Sequence, residues 1–202
     1  MKGLLLKDYY LIRSVLYIIL VVFAVVGIGM SFLTSTWVLT VLATVMLGMI
    51  SVTTINMDKN SGWRKVSVVL PVSRKAILDS KYILYLLLSG AGLFLGVILS
   101  VVVSILKGQL DYQSMLVFVS ISIAMALFSG SMTIPFAFLF SEEKSMLALI
   151  MAYPLSTVVF VGAALLADSK MAACALTAIA GIMLYIISWI TSRKHIAKRD
   201  IS

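Results

Sequence analysis

The sequence predicts an all-α integral membrane protein of six transmembrane helices. An N-terminal interfacial helix precedes them, and a short cytoplasmic helix lies between spans two and three. Three observations carry this. The 202 residues are 62% hydrophobic and only 12% charged, where a soluble domain holds roughly 45–50% and about 25%. The apolar residues form continuous runs, not the alternating segments of a barrel. Six windows contain no Asp, Glu, Lys, Arg or His: 14–34, 37–57, 82–106, 114–140, 145–167 and 171–192. Each is long enough for a helix to cross the hydrocarbon, which takes about 20 residues. Disorder is excluded, because it needs low hydrophobicity and high net charge.

Residues 2–13, KGLLLKDYYLIR, mix Lys2, Lys7, Asp8 and Arg13 with leucines and tyrosines. They are too charged to span and too apolar for a free tail. A helix in the cytoplasmic interface fits, with tyrosines at headgroup depth; a basic flank that only sets orientation is the other reading. The first apolar run is of spanning length and lacks a small-residue cleavage site, unlike a signal peptide. Six spans put both termini on one side. That side carries 14 Lys/Arg in residues 1–13, 58–81, 141–144 and 193–202, and the other side only Lys107 and Lys170. Cytoplasmic loops are enriched in Lys and Arg, so both termini and the 58–81 loop are expected in the cytoplasm. One membrane domain over 1–202 accounts for the chain.

The 58–81 loop, DKNSGWRKVSVVLPVSRKAILDSK, is the informative connection. Trp63, Val66 and Leu70 recur at helical spacing, Asn60 or Ser61 is placed to cap their start, and Pro71 stops that helix at or before Leu70. Ser73 is placed to cap the next helix, with Val72 and Ile77 in the two positions of a hydrophobic staple. That helix is expected to continue through Lys81 and Tyr82 into span three. Arg74 and Lys75 in its first turn oppose the helix dipole, which calls for anionic headgroups or an acidic partner surface. Two readings stand: an orientation determinant resting on lipid, and a docking element whose aromatic and Arg residues anchor a cytoplasmic partner.

The opening KGLLLKDYYLIRS, the loop NMDKNSGWRKVSVVLPVSRKAILDSKY and the six-span layout resemble small permease subunits of type-2 ABC exporters. Within these, the chain is similar to permeases that export phenol-soluble modulins and related bacterial peptides. The resemblance covers the whole chain, and its most specific part is LPVSRKAILDSKY. It implies that the loop carries a coupling helix seated in a groove of a separate ATPase. That role falls on Asp58, Lys59, Ser61, Gly62, Trp63, Arg64, Lys65, Val66 and Leu70, with Pro71 and Ser73 shaping the segment. Family members often have acidic residues just before this helix, whereas here Asp58 is followed by Lys59. The resemblance further implies a second permease copy and two cytoplasmic ABC ATPases that bind the ATP and magnesium. It places the chain in a bacterial plasma membrane.

The residues argue separately for an external energy source. No GxxxxGK[ST] phosphate loop occurs, and Gly90, Gly92 and Gly96 lie inside a span, where Gly92 and Gly96 read as a small-xxx-small packing face. Self-powered ion-coupled carriers need ionisable groups at membrane depth, and the six windows hold none. The chain is therefore expected to bind no ATP and no cofactor of its own. The only histidine, His195, sits in the basic tail, so no span offers a base to a serine such as Ser131. The single cysteine, Cys174, allows no intramolecular disulfide and no metal cluster. Glu142 and Glu143 are adjacent and point apart on a helix. After Ser141 they complement the positive end of a helix dipole, with an ATPase contact as the alternative.

Charge-free spans suit a cargo with its own apolar face, such as an amphipathic peptide or a lipid-like molecule, and the family resemblance implies export of membrane-active or antimicrobial peptides. The twelve methionines provide either an adaptable surface for varied ligands or ordinary gap-filling. Pro135 and Pro154 are expected to kink or weaken spans four and five. The basic balance is read as orientation and lipid contact, not nucleic-acid binding. Two rivals remain at this level: the substrate-capture subunit of a vitamin importer, and a non-transporting membrane sensor or immunity protein.

Overall fold

A computed structural model describes residues 2–33, 35–63, 67, 69, 73–108, 111–166 and 169–198. It contains six long helices: α1 (Lys2–Leu33), α2 (Val38–Asn60), α3 (Arg74–Leu106), α4 (Tyr112–Leu139), α5 (Glu142–Leu166) and α6 (Lys170–Lys198). All six are long and apolar enough to cross a membrane, and the described residues contain no strand.

The helices outrun the charge-free windows, and α1 does so most. Residues 2–13 are not a separate interfacial helix; they are the first turns of an unbroken 32-residue α1. At 1.5 Å per residue this spans about 48 Å, beyond the roughly 30 Å hydrocarbon core. Two physical causes keep it whole. No proline interrupts it, and two of the charges that argued for a break, Lys7 and Asp8, find partners on neighbouring helices.

At the far end of α2 the chain turns differently from expectation. α2 runs to Asn60, Ser61 is its C-cap, and Gly62 adopts φ +70°. A residue at positive φ just past the last turn ends a helix, and glycine takes that conformation without a Cβ clash. Ser61 Oγ turns back to Asp58 O at 3.4 Å, so it closes α2 and does not start the next helix. Trp63 and Ser67 have helical backbone; Arg64, Lys65, Val66, Leu70 and Pro71 lie outside the described residues. α3 then starts with Ser73, whose Oγ accepts the Ala76 N–H at 3.2 Å. On the opposite end, Asp111 caps α4 by accepting from Ser114 Oγ at 2.5 Å and Gln113 N–H at 2.9 Å. The Ser114 bond first, then the Gln113 N–H, holds its carboxyl below the usual carboxylate range.

α2 and α3 form the tightest pair. A Cβ at Gly92 would lie 2.5 Å from Ala43 O, and one at Gly96 would lie 2.7 Å from Thr40 Cα. Lipid tails are as apolar as leucine, so close backbone approach and interhelical hydrogen bonds hold such helices together. Thr40 Oγ1 and Ser100 Oγ, 3.1 Å apart, add one of the latter. α1 leans on this pair through Ile12, packed with Leu47 and Ile50, and through Phe23 against Leu39 and Ala43. α4 packs on α5 and α6. The two groups of helices meet in a core of Val52, Ile55, Leu78, Tyr82, Tyr85, Ile134 and Tyr185.

Pro135 and Pro154 interrupt nothing: α4 and α5 continue through them. A proline at position 135 removes the donor for the carbonyl four residues earlier, that of Ser131. Ser188 Oγ on α6 donates to that carbonyl at 2.5 Å, which explains how the helix survives.

Candidate functional site

Charged side chains gather where α1, α2 and α3 converge, at the end of the bundle that carries both termini. Lys81 is 2% exposed and Asp8 1%. Lys81 Nζ donates to Asp8 Oδ1 at 2.8 Å and to Thr54 Oγ1 at 3.1 Å. It also approaches Asp58 Oδ2 at 2.7 Å, outside hydrogen-bonding angles, so that contact is ionic. Lys7 Nζ donates to Asp58 Oδ1 at 2.6 Å and lies 3.2 Å from Asp8 Oδ1. Two cations and two carboxylates therefore balance. That balance is a condition for burying charge at all, because breaking one side leaves an uncompensated ion in a low-dielectric site.

The cluster supports the segment that follows α2. Lys7 Nζ sits 4.3 Å from the centroid of the Trp63 ring, a cation–π distance. The Trp63 Nε1 is buried and has no hydrogen-bond partner among the described residues. The indole thus rests on the N-terminal helix instead of hanging free, and Trp63, just past the end of α2, is held on α1.

The predicted residues divide accordingly. Asp58 points into the cluster and is buried, so it is not a free acidic contact on the surface. Lys59 donates to Phe140 O, the C-cap of α4, at 2.8 Å, where a cation suits the negative end of the dipole. Ser61 and Gly62 close α2, and Ser73 caps α3. Glu142 opens α5, and Glu143 is exposed in its first turn.

Sequence reasoning missed Lys7, Asp8, Thr54 and Lys81 as one unit. It also missed Asp79, which accepts from Trp189 Nε1 on α6 at 2.7 Å. A signal was present: only eight carboxylates occur in the chain, and Asp8, Asp58 and Asp79 lie on the strongly basic side, beside apolar runs. An acid beside a span is costly unless a cation meets it. What the sequence lacks is which cation meets which acid.

Away from this end, two apolar clefts of about 440 and 260 Å³ lie between α4, α5 and α6 and share Phe160. The larger has Asp111, Gln113 and Ser114 among its lining residues.

Residues 3–196 match a family model described as ABC-2 family transporter protein. Neither a curated protein nor a solved structure matches the chain.

Proposed function

The chain belongs to the ABC-2 family of transporter proteins, and on that premise we propose that it is the permease of an ATP-driven exporter for amphipathic substrates, membrane-active peptides foremost. As a family member it is a multi-pass membrane subunit, and the family implies an ABC ATPase as partner. In the proposed arrangement that ATPase binds the ATP and magnesium. It sits on the end of the bundle bearing both termini, which is cytoplasmic, in a bacterial plasma membrane. Two permease copies pair, and ATPase closure pushes the 58–70 segment.

One observation carries the reading: Trp63 is seated on Lys7 at 4.3 Å, above a buried cluster that binds α1, α2 and α3 together. A push on the Trp63 segment would then move three helices as one body, as alternating access needs. The apolar clefts between α4, α5 and α6, with polar groups among their lining, support a cargo with both kinds of surface. The six windows themselves hold no ionisable group, and the buried Lys7, Asp8, Asp58 and Lys81 lie outside them as mutually paired charges at one end of the bundle, which supports an external energy source.

The test is a co-purification of the chain with its ATPase. Replacing Trp63 and Arg64 by alanine is expected to abolish the complex, or to leave a complex whose ATPase no longer responds to a synthetic amphipathic Leu/Lys helical peptide. A double variant that retains both the complex and the peptide response counts against this segment as the coupling element.

A further inference from the structure

The head of α3 is gripped on two flanks. Residues two apart on a helix point about 200° apart. Lys81 turns toward Asp8 and Asp58 on α1 and α2. Asp79 turns toward α6, where its Oδ1 accepts from Trp189 Nε1 at 2.7 Å and its Oδ2 lies 3.4 Å from the Arg193 guanidinium. Arg193 also lies over the Trp189 ring, 5.4 Å from its centroid. Three positions along from Asp79, on the same face, Tyr82 continues the contact. Its hydroxyl lies 2.9 Å from Ser188 Oγ and 3.2 Å from Ser192 Oγ.

The direction of these bonds follows from proton count. Ser188 has one hydroxyl proton and gives it to Ser131 O at 2.5 Å, so Tyr82 donates to Ser188. Ser131 O is the carbonyl that Pro135 leaves without its helical donor. A connected path thus runs from the α3 head through α6 to the proline site of α4. In lipid no hydrophobic force opposes the sliding of one helix on another. Short, charge-assisted bonds do oppose it.

We propose that Asp79 is a positioning residue that holds the α3 head against α6, so that displacement of the segment before α3 reaches α6 and, through Tyr82 and Ser188, the Pro135 region of α4. Lys81 fixes the same helix head to the α1–α2 side, and Asp79 fixes it to the other. The proposal rests on the exporter reading, because the partner ATPase supplies the displacement.

The experiment uses the full chain with its ATPase in lipid nanodiscs, with the same Leu/Lys peptide as probe. Asp79→Ala removes both contacts; Asp79→Asn keeps an acceptor for Trp189 and removes the charge. Both complexes are expected to assemble and to hydrolyse ATP at about the wild-type basal rate. The peptide-stimulated increment falls on the order of tenfold for Asp79→Ala, within the range of coupling between distant sites, and less for Asp79→Asn. An Asp79→Ala complex stimulated as fully as wild type overturns the relay. Should Asp79→Ala fail to assemble, Trp189→Phe decides, since it deletes the Nε1 donor and keeps an aromatic ring at that position. A reduced increment there supports the relay, and a full one overturns it. Absence of any wild-type complex with an ATPase removes the exporter reading and this proposal with it. A responsive wild type beside an equally responsive Asp79→Ala sinks the relay alone.

Discussion

Lys81 lies immediately before a charge-free window, and its ammonium is stabilised there only by what surrounds it. Asp8 and Asp58 provide opposite charge, and Thr54 accepts a further hydrogen bond. Removing one member is costlier than removing a pair, because the remaining ion keeps its desolvation penalty without compensation. Lys81→Met is therefore expected to destabilise the protein by about 3 kcal/mol, toward the low end for a broken buried pair because Lys7 still reaches Asp8. Combining it with Asp8→Leu should restore most of the loss, since Lys7 and Asp58 still pair at 2.6 Å. Thermal unfolding of the single and double variants in detergent measures this. Equal destabilisation by both would show that Lys81 acts by packing alone.

Along the α2–α3 contact the decisive feature is what is missing from a side chain. A Cβ at Gly92 meets the backbone of Ala43 and Thr44 at 2.5–2.9 Å, and backbone cannot give way as a flexible side chain does. Gly92→Ala should force the two helices apart and cost about 1–3 kcal/mol, the usual range for overpacking. Gly90, two residues earlier, has nothing within 4 Å of a built Cβ. Gly90→Ala should be neutral or slightly stabilising, because alanine is the better helix former. Detergent melting of the two variants separates a packing face from a run of glycines without function. The same logic explains α4, where Pro135 is tolerated because α6 supplies the lost donor.

For the whole molecule, the six helices bring Lys7, Asp58, Lys59, Asp79 and Arg193 to one end and the Asp111 cap to the other. If the basic end is cytoplasmic, a cysteine at the exposed Gln113 should react with membrane-impermeant maleimide added outside intact cells. One at the exposed Lys75 should react only after permeabilisation. The reverse pattern would invert the orientation and, with it, the face on which an ATPase docks.

The linear chain was enough to establish that there are six membrane helices and that Ser73 is suited to start the third. Composition, uninterrupted apolar length and local capping chemistry are properties of consecutive residues. The Asn-Ser-Gly string that ends α2 is equally local, and Gly62 is its signal, although Asn60 or Ser61 reads just as well from sequence as the cap of a following helix. The joining of residues 2–13 to span one, the pairing of Lys81 with Asp8 and Asp58, and the grip of Trp189 on Asp79 were decided only by tertiary structure. The Lys81–Asp8 and Trp189–Asp79 contacts connect positions 73 and 110 residues apart. The energy of a charge near lipid depends on its neighbours in space, which no local pattern encodes.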